Sequence, residues 1–352
     1  MYNYCTLFDK NYLIRGLAMY ESLKAHSKDF HLYIFAFDDL TEKILKEMNL
    51  SHVTVVSLSE FEDEELLAIK PTRTKGEYCW TCTPSIIKYS IETFNLPSCT
   101  YIDADIYFYR DPSLLIEEMG NNSVLITPHW YTPMYDRSAT SGIYCVQFVT
   151  FKNTPEGMEV LEWWRKSCNA WCYARFEDGK FGDQKYLDNW PKEFKGVYVS
   201  QIKGGGVAPW NIQQYELKKT NYKFFVKEKR TDRIYPVIFF HFHDLKFLDS
   251  ENVYLGPYIL SKYVIEELYI PYIKLLKKIN EHVINKGYEY DFLMRVSIPQ
   301  NLFILNFSKI NIMNKYFFYL FNKLPESFWK NNYFVKKILK ILVQPYNIIN
   351  CG

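Results

Sequence analysis

The segment TYIDADIYFYRDP, residues 100–112, sets two carboxylates, Asp103 and Asp105, two positions apart inside an apolar and aromatic run. A carboxylate taken out of water without a partner is costly, so a pair retained there calls for a counter-charge. On an extended strand, residues two apart share one face, so both side chains can reach one cation at a strand end. Oxygen donors of this kind suit Mg2+ and Mn2+, and an added imidazole shifts the balance towards Mn2+. The run FFHFHDLK, residues 239–246, supplies two imidazoles, His241 and His243, at the end of a later strand. Each signal alone has a plainer reading, as solvated carboxylates at a strand end or as histidines satisfied within a core. Their conjunction points to a metal.

Eight cysteines raise a second metal question. Cys79 and Cys82 in CWTC, with Cys168 and Cys172 four apart, spell a four-thiolate zinc site on paper. Cys168 and Cys172 nevertheless continue the apolar stripe of Leu161, Trp164 and Trp171. A small buried hydrophobe is the expected role for them.

The elements that must position these groups alternate. YNYCTLF reads as a strand, Tyr12–His26 as an amphipathic helix, HLYIFAF as a strand, and Thr41–Met48 as a short helix. HVTVVSL, a helix at Glu60–Lys70 and another at Pro84–Phe94 lead into the strand bearing the aspartates. Such an order predicts an α/β fold with a mostly parallel sheet flanked by helices, whose ligands sit beyond the carboxyl ends of the strands. Further on, SGIYCVQFVTF reads as a strand and Pro155–Phe176 as a long helix. YKFFV and RIYPVIFFHF read as later strands. Past Gly256 the pattern is helical and increasingly basic, which divides the chain at 1–255 and 256–352.

The 352 residues are 48% apolar, ample for a large core, and the net charge of +2 provides no global field for nucleic acid. From Lys309 onward seven lysines face one acidic residue, Glu326. On a helical wheel of 328–343, Lys330, Lys336, Lys337 and Lys340 share a third of the circumference beside a broad apolar face. That pattern predicts a helix lying in a membrane interface. No uninterrupted apolar stretch approaches the roughly 18 residues of a span, and the first ten residues do not read as a signal peptide. The expected location is the cytoplasm, at the inner face of the membrane.

Four motifs in order, LFDKNY (7–12), YIDADIYF (101–108), FGDQKYLD (181–188) and HFHDLK (241–246), carry a family resemblance over residues 1–250. The chain resembles the GT-A glycosyltransferases that use nucleotide sugars, above all the retaining group of glycogenin and the bacterial lipooligosaccharide galactosyltransferases. The resemblance implies the GT-A, Rossmann-like sheet and hexose transfer from a UDP-sugar to a glycan or lipid-linked glycan acceptor, with retention. It assigns Asp9, Asn11 and Tyr12 to the nucleoside, with Tyr12 as the stacking surface. Asp103, Asp105 and His241, rather than His243, become the ligands of Mn2+ or Mg2+. Asp183 and Gln184 stand beside the reacting sugar. Lys88 is the basic residue on the helix before the metal strand. In GGGVAPWN (204–211), Gly205, Trp210 and Asn211 are candidate binders, and Lys246 or Arg73 is a candidate second positive charge on the diphosphate. Three positions depart from the family: Lys185 follows Gln184 where an Asp is usual, Asp244 stands at a Gly position, and Cys145 at an Asn position. Two alternatives accompany this reading. One is a catalytically inactive sugar-nucleotide-binding protein. The other is a sugar nucleotidyltransferase, although FDKNYLIRG lacks the Gly-rich phosphate loop that would follow the first strand.

Overall fold

Successive residues of the first strands face two different apolar layers. In β1 (Tyr2–Phe8), Tyr4 and Phe8 join one cluster while Cys5 and Leu7 join the other. β2 (Phe30–Ala36) splits likewise, with Leu32, Ile34 and Ala36 against Tyr33 and Phe35. Strands apolar on both faces belong in a sheet covered on both sides, and the intervening helices supply the cover. The computed structural model describes residues 1–288, 290–293 and 348–350.

α1 (Leu13–His26) and α2 (Asp39–Met48) connect β1 to β2 and β2 to β3 (Val53–Ser57). The short helices α3 (Leu58–Phe61) and α4 (Glu64–Ile69) precede α5 (Lys75–Thr93) and β4 (Ser98–Ile102). β5 (Ile106–Phe108), α6 (Ser113–Glu118) and β6 (Val124–Pro128) follow. Next come α7 (Ser138–Ser141), β7 (Tyr144–Lys152), α8 (Pro155–Ala170), α9 (Trp190–Glu193) and β8 (Val197–Val199). The main sheet has seven strands in the order β3-β2-β1-β4-β7-β6-β8. β7 runs antiparallel to both neighbours, and the other pairs are parallel. The architecture is the mostly parallel α/β sheet with flanking helices that the sequence implies.

A three-stranded meander follows, made by β9 (Tyr215–Thr220), β10 (Lys223–Glu228) and β11 (Ile234–Pro236). β12 (Phe239–His241) then pairs antiparallel with β5, His241 lying opposite Ile106. β13 (Lys246–Phe247) and β14 (Asn252–Tyr254) lead to α10 (Lys262–Val264), a π-turn at Ile265–Tyr269 and α11 (Ile270–Ile284). Tyr269, Tyr272, Ile273 and Leu276 of this stretch belong to the same core as α1, and Tyr272 stacks on Phe242 at 3.8 Å. β15 (Ile348–Asn350) completes a small sheet on β14. The lysine-rich segment 328–343 lies outside the described residues.

Several boundaries differ from the sequence reading. Asp103 and Asp105 lie in a turn between β4 and β5, not within one strand. α5 starts at Lys75 because Thr74 and Glu77 form a capping box, and Pro84 sits inside the helix rather than opening it. The expected helix Glu60–Lys70 divides where Glu62 turns extended and Asp63 caps a new helix. α8 ends at Ala170, where Trp171 takes extended backbone, so Cys172 lies past it. The late run RIYPVIFFHF breaks into β11 and β12 after Pro236, which cannot donate to a ladder.

Candidate active site

The Asp-Ala-Asp turn begins where the β4–β7 ladder gives out. Asp103 N still donates to Gln147 O of β7 at 3.1 Å, and Asp105 O accepts from Phe242 N at 2.9 Å. Gripped at each end, the turn points both carboxylates at β12. Asp103, Asp105 and His241 bring ligand atoms within 4.8 Å of one another, the one group among the described residues arranged to hold a metal. His241 Nε2 is 3.1 Å from Asp105 Oδ1 and 4.0 Å from Asp103 Oδ2. Oxygen, oxygen and imidazole nitrogen form a donor set suited to Mn2+ or Mg2+. Among the described residues the cysteines are instead buried free thiols, apart from the half-buried Cys79.

The charges at this turn answer one another. Burial and the Asp105 charge push the Asp103 carboxyl up, against the pull of His241. Burial also pushes Asp105 up, but His241 outweighs it and holds that carboxyl low. Burial alone would lower His241; the two aspartates raise it well above the usual imidazole range. Tyr101 donates to Asp103 Oδ1 at 2.8 Å. Asp183, 6% exposed, lies close enough that burial and the Asp103 charge push its carboxyl to about 7, while a hydrogen bond from Thr83 partly offsets them.

Beside this cluster the chain leaves β1 through an Asx turn. Asp9 accepts from Asn11 N at 2.9 Å and from Asn11 Nδ2 at 2.8 Å, while the Tyr290 hydroxyl donates to Asn11 Oδ1 at 2.7 Å. Tyr12 is 41% exposed, and the charges of Asp105, Asp103 and Asp244 all reach it. Arg15, one turn along α1 and buried, donates to Asn11 O and to Leu245 O at 3.1 Å each. It therefore ties the Asx turn to the segment after His241. Asp244 has φ +62°, which explains how this position comes to be a glycine in the family the sequence resembles.

Other expected residues are placed differently. Gln184 donates from Nε2 to Ser141 O at 2.6 Å, and Lys185 reaches Ser138 O and Asp188 at 2.7 Å. Together they latch α7 to the segment after Asp183. Asn211 is fully buried and its amide is consumed by Ala208 N, His129 O and Gly206 O, so it clamps its own turn. Trp210 donates to His129 O and sets its ring edge-on to His241 and His243, at 5.1 and 5.4 Å. It is a wall of the imidazole pair. Gly205 is buried, and a Cβ there would meet Leu115 at 2.3 Å, so close packing accounts for the glycine. Lys246 pairs with Asp244 at 2.5 Å. Lys88 pairs with Glu92 and lines a 660 Å3 groove with Glu60, Glu62, Asp63 and Arg165. None of its contacts reaches the aspartates. Arg73 lies over the Tyr173 ring and donates to Asn169 O at the end of α8. Arg15, Thr83, Tyr101 and Gln147 were not singled out by sequence. Their signal is faint: a polar side chain standing alone in an apolar stripe.

Sheet order and cluster define an α/β protein that presents an acid–imidazole group at the carboxyl edge of its sheet. No family model matches the chain. It is 30% identical over 314 residues to the uncharacterized protein YfnD of Bacillus subtilis (strain 168), covering 86% of this chain and 98% of that protein. The chain belongs to the family of YfnD. It is also 29% identical over 258 residues to the uncharacterized protein YfnF of the same organism, covering 71% of this chain and 84% of YfnF. Among solved structures it is similar to the galactosyltransferase LgtC in complex with donor and acceptor sugar analogues (TM-score 0.45, 12% identity, 78% of this chain and 95% of that one). GlyE of Streptococcus pneumoniae TIGR4 gives a TM-score of 0.42 at 12% identity, over 86% of this chain and 67% of GlyE. Mouse xyloside xylosyltransferase 1 gives 0.39 at 12% identity, over 56% and 84%.

Proposed function

We propose that this chain is a metal-dependent glycosyltransferase that moves a hexose from a UDP-linked sugar to a glycan or lipid-linked glycan acceptor, with retention. The observation that carries the reading is the convergence of Asp103, Asp105 and His241 within 4.8 Å beside the Asp9–Tyr12 turn and the buried Asp183. Those three side chains would hold Mn2+ or Mg2+. When bound, such a cation supplies Lewis-acid charge to the diphosphate leaving group. The exposed face of Tyr12 offers a plane on which a nucleobase stacks. Asp183 offers a buried carboxylate to hydroxyls of the donor sugar. Gln184 carries no carboxylate to act as a nucleophile, which favours a front-face reaction in which the departing phosphate takes the acceptor's proton.

One observation favours a second reading. The Gln184 amide nitrogen is committed to Ser141 O, as suits a sugar-nucleotide-binding protein without turnover. A panel of nucleotide sugars, assayed for slow hydrolysis with Mn2+ and again with EDTA, separates the two and fixes the donor without the acceptor. Mn2+-dependent release of a hexose is the expected result. Calorimetric binding of UDP with Mn2+, with no sugar released from any donor, would establish the binding protein instead.

A further inference from the structure

We infer that Gln147 is a positioning residue that holds the His241 ring in the one tautomer able to bind a cation; this rests on the metal reading above. Gln147 is a long polar side chain in the buried middle of β7, itself fully buried. Its Oε1 lies 2.7 Å from His241 Nδ1, and its main-chain oxygen accepts from Asp103 N at 3.1 Å. One residue thus holds two of the three candidate ligands, one by its side chain and one by its backbone. The opposite edge of the ring presents Nε2 to the carboxylates.

An imidazole binds a cation only through an unprotonated nitrogen, and its other nitrogen then carries the proton. An amide oxygen facing Nδ1 requires that proton to be on Nδ1, which leaves the Nε2 lone pair for the cation. With the amide reversed, its NH2 would donate to Nδ1 and force the proton onto Nε2, in the cation's place. Gln147 Nε2 has no hydrogen-bond partner among the described residues, so the contact of Oε1 with Nδ1 is the one its amide makes there. Ring and amide fix each other. Gly206 makes room for this arrangement, since a Cβ there would lie 3.3 Å from Gln147 Nε2.

The test titrates Mn2+ into the full chain without nucleotide and follows the free ion by electron paramagnetic resonance. Gln147→Leu should weaken Mn2+ binding by about tenfold or more, and Gln147→Glu, which restores an acceptor to Nδ1, should recover it to within about threefold. Circular dichroism melts accompany both variants. Equal binding by Gln147→Leu and wild type, or equal weakening in both variants, overturns the assignment. Should either variant fail to fold, 15N spectra of the wild-type histidines with Mg2+ decide, His241 being the signal missing in His241→Ala. A proton on Nδ1 supports the inference; a proton on Nε2 overturns it. Wild-type protein that binds no Mn2+ sinks the metal reading itself and this inference with it, whereas wild-type binding left untouched by Gln147→Leu sinks this inference alone.

Discussion

Asp103, Asp105 and His241 act as one set of charges. From the sequence, two carboxylates two positions apart look self-repelling, and removing one should relieve the fold. The His241 ring, 3.1 Å from Asp105, reverses that expectation when no metal is bound. Asp105→Asn should abolish Mn2+-stimulated donor hydrolysis and also lower the melting temperature in EDTA, because the imidazolium loses its nearest carboxylate. A variant that keeps Mn2+-stimulated turnover would remove Asp105 from the ligand set. Asp183 gives a second prediction with the opposite sign. Its carboxyl is raised from the usual range near 3.8 to about 7 by burial and Asp103. The folded state therefore retains a proton that the unfolded chain releases, and stability falls as pH rises from about 4 to about 7. Asp183→Asn does not titrate, so in EDTA it should lose less stability than wild type between pH 5 and pH 8 in urea denaturation. Parallel pH profiles for the two proteins would place the charge elsewhere. The ligands themselves were legible in sequence because Asp-x-Asp and the late histidines break an apolar run. Gln147 was not, since one amide inside YCVQFVTF leaves the strand pattern intact and its partner, His241, is 94 positions away.

Elements place these residues, and their boundaries were less legible than their existence. Short apolar, aromatic-rich runs revealed β1 and β2, while Pro84 read as a helix start because propensity cannot register a helix already nucleated at Thr74. The Asp-Ala-Asp turn was read as strand, since the backbone bonds that hold its two ends come from Gln147 of β7 and from Phe242 just past β12, both distant in sequence. The same limit hid Arg15. In NYLIRGLAMY it occupies a helix position like any other, yet its guanidinium crosses to Leu245 O, 230 positions on. Arg15→Met would leave the buried Leu245 carbonyl and the half-buried Asn11 carbonyl short of a charged donor, a loss on the order of 3 kcal/mol. Beyond that loss, the Asx turn and the Asp244 turn would no longer be tied. The expected outcome is a lower midpoint in urea together with a raised KM for the donor. A raised KM with unchanged stability would mean that Arg15 meets the donor directly, and no change in either would deny the tie.

At the scale of the molecule, the open question is what the basic C-terminal segment does. No helix among the described residues is long and apolar enough to cross a membrane. Lys330, Lys336, Lys337 and Lys340 nonetheless cluster on one side of a helical wheel, with Phe334, Val335, Ile338 and Leu339 on much of the rest. A helix of that pattern would gain about 1 kcal/mol per lysine near an anionic leaflet, and its apolar face would add to it. A lipid-linked acceptor, as proposed, would then lie on the surface to which such a segment would bind. Truncation is a poor test, because β15 at Ile348–Asn350 pairs with β14, and Ile349 is buried in the core. Removing the chain's end would take a strand with it. Charge reversal avoids this: with all four lysines changed to Glu, the full chain should stop sedimenting with phosphatidylserine vesicles at low salt. Hydrolysis of a soluble UDP-sugar should stay at the wild-type rate, since the Asp9–Tyr12 turn and the Asp103–Asp105–His241 cluster are untouched. Wild-type protein that ignores the vesicles would end the membrane reading. A charge-reversed chain that loses donor hydrolysis along with vesicle binding would instead assign the segment to the fold of the catalytic unit.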